Sequence, residues 1–182
     1  THPMTYVHNN YECVVSLLDY VAHKKPQPAY VYASSSSVYG LNKKIPFSEL
    51  HAIDHPANLY GTSKFGNEQI AAAYHNIHGL KSVGLRFFTV YGPWGRPDMA
   101  VSLFTNKIEN GETITLFNGG EMWRDFTFVD DIVSGIELSM EYCADNAAVF
   151  NLGNSKPVKL GYFLEQIEKR LGVKAKFKYQ AS

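Results

Sequence analysis

A chain of 182 residues, 45% hydrophobic and 14% aromatic, has the apolar mass for one sizeable core, or one core and a small lobe. Its 17 Lys and Arg balance 17 Asp and Glu, which excludes a global electrostatic pull toward nucleic acid or an anionic membrane surface. Two cysteines, Cys13 and Cys143, make neither a disulfide framework nor a metal site, and no apolar run approaches the ~20 residues of a membrane span.

Apolar residues Val7, Val14, Leu17, Leu18 and Val21 recur at helical spacing over 4–23, and Lys24, Lys25 and Pro26 close the segment. Residues 29–33 read as a buried strand. Four serines follow, then Val38-Tyr39-Gly40 and a polar loop to about His55. Residues 58–78 read as a long helix ending at Gly79. Residues 82–90 read as a second buried strand, and 91–97 as a stiff, turn-rich loop. Asp98 is placed to cap a helix over 99–110. A strand over 113–117, a Gly119-Gly120 turn and a strand over 126–129 come next. They are followed by a helix over 130–143, a strand over 148–152, a helix over 159–171 and a last strand over 174–179. This alternation predicts an α/β domain with a mostly parallel sheet.

Two constellations carry chemistry. Tyr60 and Lys64 are one helical turn apart and face the same way. An ammonium beside a phenol stabilises the phenolate, and such a pair can act as general base toward an alcohol; the alternative is a surface Tyr and Lys on an amphipathic helix. Ser34 to Ser37 directly follow a buried strand, at the end where ligands bind in open α/β sheets. A hydroxyl there could hold a reacting alcohol near Tyr60, or could simply cap backbone groups. The seven histidines are scattered, so no metal site is expected. Trp94 and Trp123 each flank an Arg-bearing loop.

Taken together, the Ser-Ser-Ser-x-Val-Tyr-Gly loop and the Tyr-x-x-x-Lys about 20 residues later resemble the extended short-chain dehydrogenase/reductases. The strand Leu85-Arg86-Phe87-Phe88-Thr89-Val90-Tyr91-Gly92-Pro93 and the group Arg124-Asp125-Phe126 with Asp130-Asp131 are similar to further motifs of that family. The resemblance implies a Rossmann-type α/β fold. Residues 1–92 would be the remainder of an NAD-binding domain. Residues 93–182 would be mainly a nucleotide-sugar-binding lobe, with segments returning to the Rossmann core. The family opens with a strand and a Gly-rich turn that holds the cofactor pyrophosphate, and no such turn occurs here. The expectation is a piece of a longer protein whose isolated form has negligible NAD affinity and no activity. It is also expected to be cytoplasmic, to self-associate, as a homodimer or otherwise, through its first two helices and exposed edges, and to bind no nucleic acid.

In dehydratase relatives, an Asp-Glu pair precedes the Val-Tyr-Gly and eliminates water; Ser36 and Ser37 stand there instead, which favours epimerisation. The stretch from Phe87 to Met99 resembles UDP-glucuronate 4-epimerases. The resemblance then implies transient, NAD-dependent oxidation at C4 of a UDP-sugar, with Tyr60 as base, Lys64 lowering its pKa and binding the nicotinamide ribose, and Ser35 on O4. Ser36 and Thr89 would assist, and Arg96 would pair with a C6 carboxylate. Asn10 and Phe88 would lie along the cofactor, Arg124 would clamp the UDP pyrophosphate, and Ala100, Thr115 and Phe117 would line the uridine pocket. The alternative for Arg96 is a solvated loop residue or one that pairs with Asp98. Asn10 could be an ordinary helix Asn, and Phe88 and Phe117 could be core. UDP-glucose or UDP-galactose epimerisation, or a non-catalytic UDP-sugar-binding module, are the alternatives.

Overall fold

The computed structural model describes residues 2–142 and 145–180, with Phe117 and Asn118 described by backbone alone. Cys143, expected at the end of a helix, lies outside the described residues. In chain order the elements are α1 (Pro3–Val7), a π-helical turn (His8–Glu12), α2 (Cys13–Ala22), β1 (Tyr30–Ser35), a 3-10 turn (Ser36–Tyr39), α3 (Leu59–His78), β2 (Ser82–Phe87), β3 (Thr89–Tyr91), α4 (Ala100–Glu109), β4 (Thr113–Phe117), β5 (Trp123–Arg124), β6 (Phe126–Phe128), α5 (Val129–Glu141), β7 (Ala147–Leu152), β8 (Val158–Lys159), α6 (Leu160–Leu171) and β9 (Lys176–Gln180). They form two compact units, Thr1–Phe88 with Ile132–Leu152, and Thr89–Asp131 with Gly153–Ser182.

The first unit is built on a parallel sheet in the order β1-β2-β7, as the α/β reading expects. Its central strand buries Val83 and Leu85, and Leu18, Ala71 and Leu80 complete the apolar core. Burying such a Leu or Val side chain contributes about 1.5–3 kcal/mol. The register sets Ser34 beside Arg86 and Arg86 beside Asn151. One residue further, Ser35, Phe87 and Leu152 end the three strands. The serine turn therefore leaves the sheet at its carboxyl edge. β1 differs from the expected apolar strand: Ala33 is exposed, and its fully buried residues are Ser34 and Ser35.

Local chemistry fixes α3 at both ends. The Asn58 side-chain oxygen accepts from the Gly61 amide at 2.8 Å, closing the N-terminus. Gly79 adopts φ 67° in the left-handed region and returns its amide to the His75 carbonyl. At Gly61 an added Cβ would lie 2.3 Å from the Ser37 carbonyl oxygen, so the missing side chain lets the helix start against the serine turn.

Two expectations need correction. The run 82–90 is not one strand. Phe88 donates its amide to the Leu152 carbonyl, whereas Thr89 donates to the Asp125 carbonyl. The chain changes partner strand inside a run that reads as one strand, which hydropathy cannot register. Asp98 does not cap α4, whose N-cap is Met99 with no side-chain cap bond; its carboxylate is engaged by Arg96 instead.

The second unit holds three two-stranded pairs: β3-β6 and β4-β9, both parallel, and β5-β8, antiparallel. Its core is Ile108, Ile114, Leu116, Leu160 and Leu164, flanked by Phe104, Phe163, Ile167 and Leu171. Residues 160, 163, 164, 167 and 171 recur at helical spacing, which is why α6 forms and which face it buries.

Candidate active site

Tyr60 and Lys64 occupy the first two turns of α3. The Tyr60 side chain is partly exposed, at 37%, and among the described residues its hydroxyl has no hydrogen-bond partner. Its ring lies 6.2 Å from that of Tyr6. Lys64 is half-buried and donates from Nζ to the Ala33 carbonyl oxygen at 3.2 Å. Burial holds its ammonium below the ordinary lysine range. Two residues later along β1, Ser35 is buried, and its Oγ accepts from the Ser37 amide at 3.2 Å. That bond is the backbone-capping role; it leaves the Ser35 O–H as a donor. Ser36 sits half-buried in the turn.

Asn10 lies in the π-helical turn and is tied to α3. Its Nδ2 donates to Ser63 Oγ at 2.8 Å, Ser63 Oγ donates to the Tyr60 carbonyl at 2.8 Å, and Asn67 Nδ2 donates to the Asn10 carbonyl. One hydrogen of the Asn10 amide is thus engaged by the helix that carries Tyr60. Phe88 is half-buried with its ring 6.4 Å from Phe47, which stacks on Tyr39 at 4.5 Å.

Beneath these residues lies a polar cluster that the sequence reading missed. Arg86 donates through Nε and Nη2 to the two carboxylate oxygens of Glu68 at 2.9 and 2.7 Å. Ser34 Oγ donates to the same carboxylate at 2.6 Å. Arg86 Nη1 donates to Tyr39 Oη at 2.9 Å, Tyr39 donates to Asn151 Oδ1 at 2.7 Å, and Asn151 Nδ2 donates to the Phe47 carbonyl at 3.0 Å. The signal was an Arg inside the run 82–90, which the sequence reads as a buried strand.

In the second unit, Thr89 opens β3 and is half-buried. Arg96 sits on the exposed 91–97 loop and grips Asp98 with two bonds, Nε to Oδ1 at 2.9 Å and Nη2 to Oδ2 at 2.6 Å. This guanidinium holds the Asp98 carboxyl below the usual carboxylate range. Trp94, on the same loop, is fully exposed at φ 63°. Ala100 is the half-buried first residue of α4, and Thr115 is half-buried in β4 opposite Lys178. The Phe117 side chain lies outside the described residues. Arg124 is exposed on β5 and donates to the Trp123 carbonyl at 3.3 Å. Its neighbour Asp125, to which the sequence reading gave no role, accepts from the Asn154 and Ser155 amides at 3.2 and 2.8 Å. That carboxylate fixes the loop leading to β8, the strand that pairs with Arg124.

An accessible phenol, an ammonium one turn away and a hydroxyl donor at the neighbouring strand end are the parts of an acid–base site for an alcohol. Three comparisons bear on it. Residues 1–153 match the model described as the NAD dependent epimerase/dehydratase family. UDP-glucuronate 4-epimerase 4 of Arabidopsis thaliana is 47% identical over 190 residues, covering 96% of this chain and 44% of that protein. Among solved structures, a UDP-glucuronic acid 4-epimerase from Bacillus cereus in complex with UDP-glucuronic acid and NAD superposes with a TM-score of 0.89 at 32% identity, over 97% of this chain and 55% of that one. A UDP-N-acetylglucosamine 4-epimerase from Methanobrevibacter ruminantium M1, in complex with UDP-N-acetylmuramic acid, gives 0.90 at 28% identity, over 100% and 58%. The chain therefore spans about half the length of the relatives it matches.

Proposed function

This chain belongs to the NAD dependent epimerase/dehydratase family, and on that premise we propose that the protein epimerises C4 of a UDP-sugar, with UDP-glucuronate and UDP-galacturonate as the favoured pair. The observation that carries the reading is the Tyr60–Lys64 pair on α3, tied to β1 by the bond from Lys64 to Ala33 and set beside the Ser35 turn.

The residues present fit the nicotinamide-ribose end of NAD. Tyr60 offers a hydroxyl with no partner among the described residues, and Lys64 makes a single hydrogen bond there, leaving ammonium hydrogens to donate. When bound, NAD supplies the hydride acceptor and donor for the sugar carbon. Tyr60, as phenolate, takes the proton from O4 and returns it after the 4-keto sugar has presented its other face. Lys64 keeps positive charge beside that phenolate. Ser35 donates to O4, and Ser36 and Thr89 assist. Asn10 and Phe88 are proposed along the cofactor; one amide hydrogen of Asn10 serves Ser63 and ties it to α3, which leaves the second to donate. Arg124, Ala100, Thr115 and Phe117 are proposed for the diphosphate and uridine.

The specificity reading rests on Arg96, whose guanidinium would pair with the C6 carboxylate. One observation favours a second substrate class: Asp98 already supplies Arg96 with a carboxylate, so a neutral UDP-glucose or UDP-galactose would leave no charge unpaired. The deciding experiment incubates the natural protein with NAD and each UDP-sugar and resolves the products by NMR. UDP-galacturonate formed from UDP-glucuronate supports the favoured pair. Conversion of UDP-glucose alone moves the assignment, and no conversion of either sinks epimerisation. Arg96→Ala is expected to raise KM for the acid sugar far more than for the neutral one.

Self-association belongs to the same proposal. Leu17 and Tyr20 on α2 and Ile77 on α3 are exposed apolar side chains, suited to a second copy of the chain. Sedimentation showing only monomer at tens of micromolar would refute it.

A further inference from the structure

In-register neighbours of a parallel sheet project their side chains to the same face. Ser34, Arg86 and Asn151 form one such row across β1, β2 and β7, one residue short of the carboxyl edge. The row is polar, and every member is hydrogen-bonded. Glu68 meets it from α3 and accepts three hydrogen bonds, two from Arg86 and one from Ser34. The Arg86 and Glu68 side chains are 4% and 3% exposed, so both charges are withdrawn from water and compensated within the network.

Such a pair is poorly explained as a source of stability. Buried ion pairs often match or fall below well-packed apolar residues of similar volume, because desolvation consumes the Coulombic gain. What a forked, two-point bond supplies is geometry. Tyr60, Lys64 and Glu68 are successive residues on one face of α3, each a turn from the next. Ser34 is the chain neighbour of Ala33, which anchors Lys64, and of Ser35. The clamp therefore grips both halves of the acid–base site, the helix through Glu68 and the strand end through Ser34. Turning α3 by one residue swings Glu68 by about 100° and breaks all three bonds.

We propose that Glu68 and Arg86 are positioning residues for the acid–base chemistry: their bidentate pair, with Ser34, sets the register of α3 against the end of β1 so that Tyr60 and Lys64 meet the sugar hydroxyl held at Ser35. The inference rests on the epimerase reading of that site.

The test uses the natural protein with NAD and UDP-glucuronate, wild type beside Glu68→Gln, Arg86→Lys, Ser34→Ala and the double variant Glu68→Leu/Arg86→Met. Misplacement of a reacting group by about an ångström costs about 10²-fold. Glu68→Gln and Arg86→Lys are expected to lower kcat by about that factor with KM changed less than about threefold, and Ser34→Ala to lower it by about tenfold. The double variant is expected to recover Tm without recovering kcat. Recovery of both, or full kcat in Arg86→Lys, would mean that the pair only holds the fold and overturns the proposal. A double variant that does not fold leaves the three single substitutions to decide. A readout independent of turnover is the Lys64 titration followed by NMR. Arg86→Lys keeps the charge, so a return of Lys64 toward the ordinary lysine range reports movement of α3, and an unchanged titration overturns the proposal. A wild type inactive on every UDP-sugar would sink the epimerase reading, while this titration would still decide the positioning role.

Discussion

Lys64, itself half-buried, reaches from α3 to the carbonyl oxygen of Ala33 on β1, 3.2 Å away. Burial penalises the charged form, so Lys64 loses its proton at lower pH than an ordinary lysine, whose pKa is about 10.4. Between its folded and unfolded values the unfolded chain binds more protons, so this group's contribution to stability rises with pH across that window. Activity moves the other way, because loss of the ammonium removes the charge beside Tyr60. The alkaline limb of the kcat–pH profile is expected below the ordinary lysine range. In Lys64→Arg, whose guanidinium stays charged, that limb should move upward; an identical limb in both proteins would refute Lys64 as its source.

Tyr60 offers the sharpest separation of chemistry from folding. Its hydroxyl leaves no described partner orphaned when removed, so Tyr60→Phe should alter stability by less than about 0.5 kcal/mol. Removing the general base should lower kcat by about 10²–10⁴. Thermal unfolding and steady-state kinetics on one preparation check both. A variant retaining a tenth of wild-type kcat would disprove the assignment.

Arg96 and Asp98 form an exposed bidentate pair, so an acid sugar would have to compete with Asp98 for the guanidinium. Asp98→Ala should then lower KM for UDP-glucuronate by about threefold or more at low salt and leave UDP-glucose unchanged. The advantage should shrink as salt screens the charges. Equal KM changes for the two sugars would remove Arg96 from the carboxylate.

Two glycines, Gly61 in the first turn of α3 and Gly79 at its C-cap, make opposite tests. Gly61→Ala drives a Cβ toward the Ser37 carbonyl oxygen, a backbone atom that cannot rotate away. The expected cost is about 1–3 kcal/mol, with a fall in kcat as the helix start parts from the serine turn. Gly79→Ala meets no atom within 4 Å and suffers only its left-handed φ of 67°, about 1–2 kcal/mol. Its kcat should stand. Urea unfolding gives the two costs, and comparable kcat losses would contradict the distinction.

The helix over 58–78 was legible nearly to the residue, because Asn58 and Gly79 satisfy backbone groups by local rules that act wherever those residues stand. The juxtaposition of Tyr60 and Lys64 followed from helical periodicity alone. Three features were beyond such reasoning. The change of sheet after Phe88 depends on which strand waits on either side, and no local preference encodes that. Asp98 had two acceptable uses, and the forked bond to Arg96 prevailed over capping α4. The row Ser34–Arg86–Asn151 joins residues far apart in sequence, each unremarkable where it stands; only the register makes it a unit.

The division of the chain at Phe88, Asp131 and Leu152 has a consequence for biosynthesis. β2 is the middle strand of its sheet, yet β7, which covers one of its edges, leaves the ribosome only after all of residues 89–131 have been made. At roughly 5–20 residues per second, that edge stays open for several seconds. Through that interval Tyr39 lacks Asn151, the acceptor of its hydroxyl in the folded chain. The nascent first unit therefore presents a bare strand edge, and pairing of β7 with β2 ends its exposure.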